Sequence, residues 1–506
     1  MTNESSRTLN SIKNVISNFS YQLLLLFLGF ISRTVFLKVL SVEYLGIQGL
    51  FSDILNLLSM ADLGFNTAMA FSLYKPLSDR DQETVSGLIT FYQKVYRVIA
   101  VTIFCLGIGL IPFLKFIVNL EKPIPYIELY YFLYLLNTVA SYLVIYKSTI
   151  LQADQKGYIV TKYSSLFSTL QTVAMVICLL LTHNFLIYLI VQVSFTYLTN
   201  FYISSVASRL YPYINNKVSL PKEKTNGIFD NIKSVFIYKI SSVLINATDN
   251  TLISVIVGTV ATGLYSNYTM VTIKLTSLVN TVFYSLTSSL GNLIVKEGEN
   301  RRYQIFQVLQ TISNIFSIIF VTMLLFLLQD FIRIWLGSSY LLDNVVVYAI
   351  VLNFYFSISL LPVWVYREAT GLYNQIKYVM LLTAILNLIF SIVFGNLIGL
   401  AGILFATSLS RVLTYFWYEP ILLFNKFFGH SSKEYFVSIL KSALILVIVS
   451  FCANIVSNYI QVDNFVTLVI KATILLILSS LISILFYRTS DGYKFLKQKF
   501  MNKIYN

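Results

Sequence analysis

Apolar runs of span length, separated by short polar stretches, recur along nearly the whole chain. A helix that crosses a bilayer needs about 20 mostly apolar residues. On that rule the pattern predicts about fourteen spans, at 15–38, 45–73, 89–118, 126–150, 158–182, 185–209, 234–257, 261–293, 304–335, 345–366, 376–395, 398–424, 436–458 and 465–487. Sustained apolar–polar alternation is absent, which argues against a membrane β-barrel. The expected fold class is an all-α polytopic membrane protein.

The pattern also repeats on a longer scale. "YKPLSDRDQETVSGLITFYQKVYRV", after the second span, faces "VKEGENRRYQIFQVLQTISN", after the eighth, about 217 residues later. At the same offset, within a residue or two, "LQADQKGYI" meets "REATGLYNQIK" and "VEYLGIQGL" meets "VATGLYSNY". The expectation is two parallel six-helix lobes, 1–215 and 229–425, joined by a polar Pro/Gly-bearing linker at 216–228. Two extra spans within 426–487 and a basic tail, 488–506, would follow.

Composition agrees with the pattern: 57% of residues are hydrophobic and 11% charged, with mean hydropathy +0.75. The net charge of +14 acquires meaning from where the cations sit. Roughly 27 of the 36 Lys and Arg fall in or beside alternate connections and the two tails. Lys38, Lys115, Lys122 and Arg333 lie toward the other side. The positive-inside rule then puts both termini in the cytoplasm of a multi-pass cell-membrane protein. The charge reads as a membrane-surface feature facing anionic lipid, not as a nucleic-acid footprint. The first apolar run lacks a small-residue cleavage site and is expected to be a retained helix. Cys105, Cys178 and Cys452 all fall within spans, and His183 and His430 are the two histidines, so neither a disulfide framework nor a His-based metal site is expected.

Charge inside a span costs about 2.5–3.5 kcal/mol on insertion scales, so its placement is informative. At 100° per residue, Lys239, Ser242, Asn246, Asp249 and Asn250 share one arc. So do Asn267, Lys274, Ser277, Thr281 and Ser288; Asn18, Gln22, Gly29 and Arg33; and Thr407, Ser408, Arg411, Tyr415 and Tyr418. One such stripe is ordinary helix–helix glue. Several together, carrying Arg33, Lys239, Lys274 and Arg411, fit the lining of a hydrated cavity better. Candidate pairs are Arg33 or Lys274 with Asp62, and Lys239 with Asp249. Asp53 and Asp62 fall on opposite faces of an ideal helix, so either Gly64 bends that span or Asp53 lies near the outer rim. Lys471 is expected to snorkel. Glu128 and Glu419, near span ends, are expected to reach water. Pro112, Pro362 and Pro420 are expected to kink their spans.

The stretch 42–99, with Tyr44-Leu45-Gly46, Asp62-Leu63-Gly64 and "SLYKPL", resembles the N-terminal signature of Gram-positive polysaccharide repeat-unit flippases. These are the Wzx-type branch of the multidrug/oligosaccharidyl-lipid/polysaccharide exporter superfamily. "LQADQKGY", "REATGLYNQ" and the 6+6+2 layout extend the resemblance over nearly the whole chain. The resemblance implies two lobes in a V around a central cavity that opens to each side in turn. Its substrate would be an oligosaccharide repeat unit, of capsule or exopolysaccharide, on undecaprenyl diphosphate. Carried over by position, Arg33, Lys274 and Arg411 would line the cavity with cations, and the last two spans would form a lipid groove; Asn18, Gln22 and Asn267, from the polar stripes, are expected to join them in substrate binding. A coupling Na⁺ or H⁺ would meet Asp249, Asn387 and Thr407. The chain is expected to act as a monomer, with polysaccharide polymerase machinery as a partner and no resident cofactor.

No GxxxxGK[ST] loop occurs, which argues against ATP hydrolysis by this chain. External loops are short and carry no paired carboxylates or nucleophile–base set, against a polymerase or glycosyltransferase. A lipid II flippase and a drug/cation antiporter of the same superfamily are the rival transporters. The polar knot at 74–98 is expected to be a cytoplasmic gate loop, with Asp79, Arg80, Asp81 and Glu83 pairing across to Lys296, Arg301 and Arg302.

Overall fold

The computed structural model describes residues 2–59, 65–119, 124–220, 236–245 and 247–504. Among them every regular element is helical. In chain order these are α1 (Thr2–Val39), α2 (Val42–Leu58), α3 (Phe65–Asp79), α4 (Gln82–Leu110), α5 (Ile127–Tyr142), α6 (Ile145–Ala153), α7 (Gly157–Thr182) and α8 (Phe185–Leu210). After a helical stretch at 236–245 come α9 (Asp249–Ile256), α10 (Thr259–Tyr284), α11 (Thr287–Lys296), α12 (Glu299–Leu336), α13 (Asn344–Ser359) and α14 (Leu361–Thr370). The chain ends in α15 (Tyr373–Leu413), α16 (Tyr415–Leu423), α17 (Lys433–Asn458), α18 (Phe465–Tyr487) and α19 (Asp491–Ile504).

Eight helices among the described residues are long and apolar enough to cross a membrane, or ten when α5–α6 and α13–α14 each count as one bent span. The protein is thus a multi-pass membrane protein. The expected count of fourteen is higher for three reasons. The eighth expected span, 261–293, is divided between α10 and α11, and neither is long and apolar enough to count. Asp62 and Gly64 of the second expected span, and Asn246 of the seventh, lie outside the described residues. Moreover, the run 373–428 counts once although its backbone leaves helical geometry at Ile398 and Gly399. There it folds back. Asn387 Nδ2 donates to Thr407 Oγ1 at 3.0 Å, and the Thr383 and Thr414 hydroxyls meet at 2.6 Å.

The repeat leaves a geometric mark. The α5–α6 bend is 45°, at Leu143–Val144, and the α13–α14 bend is 44°, at Leu360. Leu143 and Leu360 are 217 positions apart. Pro362 follows the second bend, but no proline lies near the first. The bend therefore belongs to the repeated architecture and does not require proline. Pro112 ends α4 in a short 3₁₀ turn, whereas Pro76 and Pro420 sit inside helices. The chain does not break at Lys75–Pro76: α3 continues to Asp79, Arg80 turns with φ 58°, and Asp81 caps α4 by accepting from Thr84 N–H at 2.9 Å.

Two compact units emerge, Met1–Gly263 and Leu264–Asn506. Residues 236–245 and 247–263, beyond the sequence-predicted linker, thus pack with the first unit. A glycine crossing shows how. A Cβ on Gly46 would lie 2.0 Å from Thr259 O, and one on Gly263 would lie 2.3 Å from Val42 O. Gly46 and Gly263 are repeat equivalents, as are Val42 and Thr259, so the contact is symmetric about the repeat. Backbones this close exclude any side chain. Ser254 Oγ donates to Ile117 O at 3.1 Å, and Thr259 N–H donates to Asn119 O at 2.9 Å, fastening the α9–α10 turn further. Around it, Phe36, Tyr44, Tyr130, Phe185 and Tyr188 pack with ring centroids 4.9–6.0 Å apart where they meet edge-on or stacked.

At the cation-rich end of this unit, Tyr211, just past α8, donates to Asp154 Oδ2 at 2.5 Å, and Lys156 Nζ sits 2.7 Å from the same carboxylate. Burial, and secondarily Asp154, push the Tyr211 phenol above its usual range, so it remains a donor at physiological pH.

In the second unit α12 is the central helix. Ser313 Oγ donates to Ile358 O at 2.7 Å and Asn314 Nδ2 to Ser438 Oγ at 3.2 Å, tying α12 to α13 and α17. The last span is tied by charge: Lys471 Nζ on α18 lies 2.8 Å from Asp330 of α12, and Arg333 is 2.8 Å from the same carboxylate. Lys471 is 5% exposed. The expectation that it snorkels is therefore corrected; an acid one helix away neutralises it within the protein.

Candidate functional site

In the second unit α14 and α16 place a buried ion pair that the sequence reading did not foresee. Arg367 Nη1 donates to both oxygens of Glu419, at 2.9 and 3.1 Å. The two residues are 6% and 3% exposed. The expectation that Glu419 reaches water is thus corrected. Glu368 lies 3.6 Å from Arg367 Nη2 and accepts from the Tyr373 hydroxyl. Charges this deep persist only when paired and hydrogen-bonded. Arg367 and Glu419 are 52 positions apart, with no local spacing to announce a partner. The available signal was a lone charge near each of two span ends.

Arg411, Thr407 and Ser408 come from the returning limb of α15. They are 6%, 3% and 3% exposed, so this stripe faces the interior of its unit and not open water. Tyr415 is buried too, while Tyr418 is 40% exposed. Ser408 donates to Asn353 Oδ1 at 2.9 Å. The Nε and Nη1 donors of Arg411 have no partner among the described residues, and its guanidinium lies in electrostatic reach of Tyr415. A buried guanidinium with open donors is a ready receptor for an anion. Asn387, fully buried, bonds Thr407 through its amide nitrogen, while its Oδ1 has no partner among the described residues. Lys274 on α10 is half-buried and Asn267 fully buried.

In the first unit, Arg33 near the end of α1 is half-buried, in electrostatic reach of the Tyr134 and Tyr188 hydroxyls. Gln22 is half-buried. Asn18 is exposed and accepts from Thr161 Oγ1 at 2.9 Å, one of several ties between α1 and α7. Asp62, expected to pair with Arg33 or Lys274, lies outside the described residues. Asp53 is buried, 9% exposed, and accepts from Asn250 N–H at 3.2 Å. The Asp249 carboxylate is in electrostatic reach of Asp53. Asp249 thus belongs to the first unit, whereas Asn387 and Thr407 belong to the second. Lys239 is half-buried.

Of the expected gate residues, Asp79, Arg80, Asp81 and Glu83 are exposed on the α3–α4 corner, with Asp81 engaged as a cap. Lys296 and Arg301 are exposed and Arg302 half-buried. Arg301 bonds Gln304 at 3.2 Å and lies 4.8 Å over the Phe495 ring, and the Arg302 carbonyl accepts from Tyr366 at 2.9 Å. The described residues contain no cluster of His, Cys, Asp and Glu able to hold a metal ion.

No family model matches the sequence, and no curated protein matches it. Solved structures do. The fold is similar to that of lipid II flippase MurJ in an inward closed conformation, at TM-score 0.68 and 16% identity, covering 95% of this chain and 99% of that one. It is also similar to an inward-facing multidrug resistance MATE family transporter of the MOP superfamily, at TM-score 0.58 and 14% identity over 80% of this chain and 97% of that one. A MOP superfamily transporter from Pyrococcus furiosus gives TM-score 0.58 and 11% identity over 82% and 96%. The chain has the all-helical fold that MOP superfamily transporters share.

Proposed function

We propose that this protein is a flippase that moves polyprenyl-diphosphate-linked oligosaccharide repeat units from the inner to the outer leaflet by alternating access. The carrying observation is coverage. The likeness to a lipid II flippase runs over 95% of the chain, whereas the likeness to the MATE transporter stops at 80%. A lipid-linked substrate accounts for the longer match better than a drug does. The repeat-unit class, as against lipid II, rests on the resemblance of residues 42–99 to Wzx-type flippases.

The physics is consistent with a cationic path. Each unsatisfied polar group in hydrocarbon costs several kcal/mol, so a glycosyl diphosphate flips slowly unaided. Arg33, Lys274 and Arg411 would screen the diphosphate, with Asn18, Gln22 and Asn267 offering hydroxyl contacts, while the polyprenyl tail stays in lipid. An inside-negative potential contributes about 2.3 kcal/mol per charge per 100 mV. A diphosphate of about two charges therefore gains about 4–5 kcal/mol on moving outward. The acidic corner at 79–83 and the cations at 296–302 would form the gate on the cytoplasmic side, where both termini lie. The protein would act as a monomer in the cytoplasmic membrane and hand its product to polymerase machinery.

The experiment is flipping of a fluorescent polyprenyl-diphosphate oligosaccharide in proteoliposomes with an imposed potential. Rates should rise with an inside-negative potential and fall when it is collapsed. Equal rates would remove the potential as a driving force. The buried Asn387 Oδ1, open beside the Thr407 hydroxyl, favours a second reading, coupling to Na⁺ or H⁺. Sodium-independent transport would exclude its sodium form.

A further inference from the structure

A polar groove in the second unit, beside the expected gate residue Arg301, shares no lining residue with the buried Arg367–Glu419 pair. Its walls are the first turns of α12, the turn between α16 and α17, and the first turns of α19. All three segments lie on the cation-rich side of the chain. The groove encloses about 540 Å³, within the range of small-ligand sites.

Its geometry is built. Tyr303 and His430 stack with centroids 4.3 Å apart at 23°. The Tyr303 hydroxyl donates to Glu434, and His430 Nε2 meets Asn300 Oδ1 at 3.2 Å. The opposite wall is α19, carrying Phe495, over which Arg301 is held. Glycine at 492 permits that wall: a Cβ there would lie 2.4 Å from Gln307 O and 2.5 Å from Thr311 Oγ1. Thus α19 is seated on α12 at a distance that only glycine allows.

The lining chemistry narrows the ligand. Glu434 and Asp491 bring two carboxylates against two cations, Lys494, which lies 3.8 Å from Asp491, and Arg301, which is already engaged by Phe495 and Gln304, so no excess positive charge remains. That balance disfavours a phosphate or other anion. Gln304, Gln307 and Gln498 each offer a donor and an acceptor. Carboxylates accept from vicinal hydroxyls, amides bond hydroxyls in either sense, and aromatic faces pack on the C–H face of a sugar ring. We propose that this groove is a binding site for a neutral glycosyl group, presented either by a membrane glycolipid headgroup or by a free saccharide chain. The proposal does not depend on transport activity.

The test uses the full chain in phosphatidylglycerol nanodiscs. One arm adds a minor fraction of diglucosyl-diacylglycerol and detects retained lipid by native mass spectrometry. The other adds maltotriose and detects saturation transfer by NMR. Wild type should bind at least one probe, and the Gln304→Ala/Gln498→Ala variant should bind it about tenfold more weakly, as two lost hydrogen bonds imply. Both positions are exposed, so the variant retains its fold. Binding of diglucosyl-diacylglycerol alone identifies a glycolipid headgroup; binding of maltotriose identifies a saccharide chain. Binding of neither above the phosphatidylglycerol background, or equal binding by the variant, overturns the proposal.

Discussion

Among the described ion pairs of the second unit, Arg367 and Glu419 bear most on stability, because both are almost wholly buried. Removing one partner leaves the other charged in a low-dielectric interior, at a cost of about 3–5 kcal/mol. Arg367→Met and Glu419→Leu should each lower the unfolding temperature of the purified protein substantially. The double variant should recover part of that loss, since an apolar pair of similar volume carries no stranded charge. Additive losses would mean that the two residues do not act as a pair. Arg411 behaves differently: it is buried, but its Nε and Nη1 donors have no partner among the described residues to lose. Arg411→Met, which keeps most of the volume, should therefore lower stability less than loss of Arg367 but slow flipping at least about tenfold, the worth of one charge-assisted bond. Alanine at Arg33 and at Lys274 should also slow flipping. Normal export by all three single variants and the triple would remove the cationic path.

At the scale of elements, the crossing of Gly46 and Gly263 and the twin bends near 143 and 360 express one repeat. Gly46→Ala and Gly263→Ala each push a methyl group into a backbone carbonyl, which should cost about 1–3 kcal/mol apiece. They strain a single contact, so the double variant should cost less than the sum; full additivity in denaturation would show that the two glycines are strained independently and do not share one crossing. Much of this was legible in sequence. The 217-residue offset paired the segments that carry the two glycines, though not their crossing, and of the two bent spans a kink was expected only at Pro362. The side-chain partners were not legible. Lys471 and Glu419 looked like charges bound for water, because their partners, Asp330 and Arg367, lie 141 and 52 positions away. The stripe at Thr407, Ser408 and Arg411 was legible as a stripe. Helical spacing gives a direction around the axis but not what occupies it, and here the occupant is the interior of the unit.

For the whole molecule, the pattern of apolar runs sufficed to establish a multi-pass helical membrane protein, and its likeness to MOP superfamily transporters extends over most of the chain. The charge stripes led toward transport, and the short external connections led away from an enzyme. What the cargo is depends on chemistry outside the protein. The central claim is that lipid-linked oligosaccharide cannot leave the inner leaflet without this chain. Conditional depletion in the native host, followed by lipid extraction and mass spectrometry, tests it directly. The account predicts that a polyprenyl-diphosphate oligosaccharide accumulates, shielded from external glycosidases until the membrane is opened. Depletion without any such accumulation, or accumulation of material already accessible from outside, would contradict it.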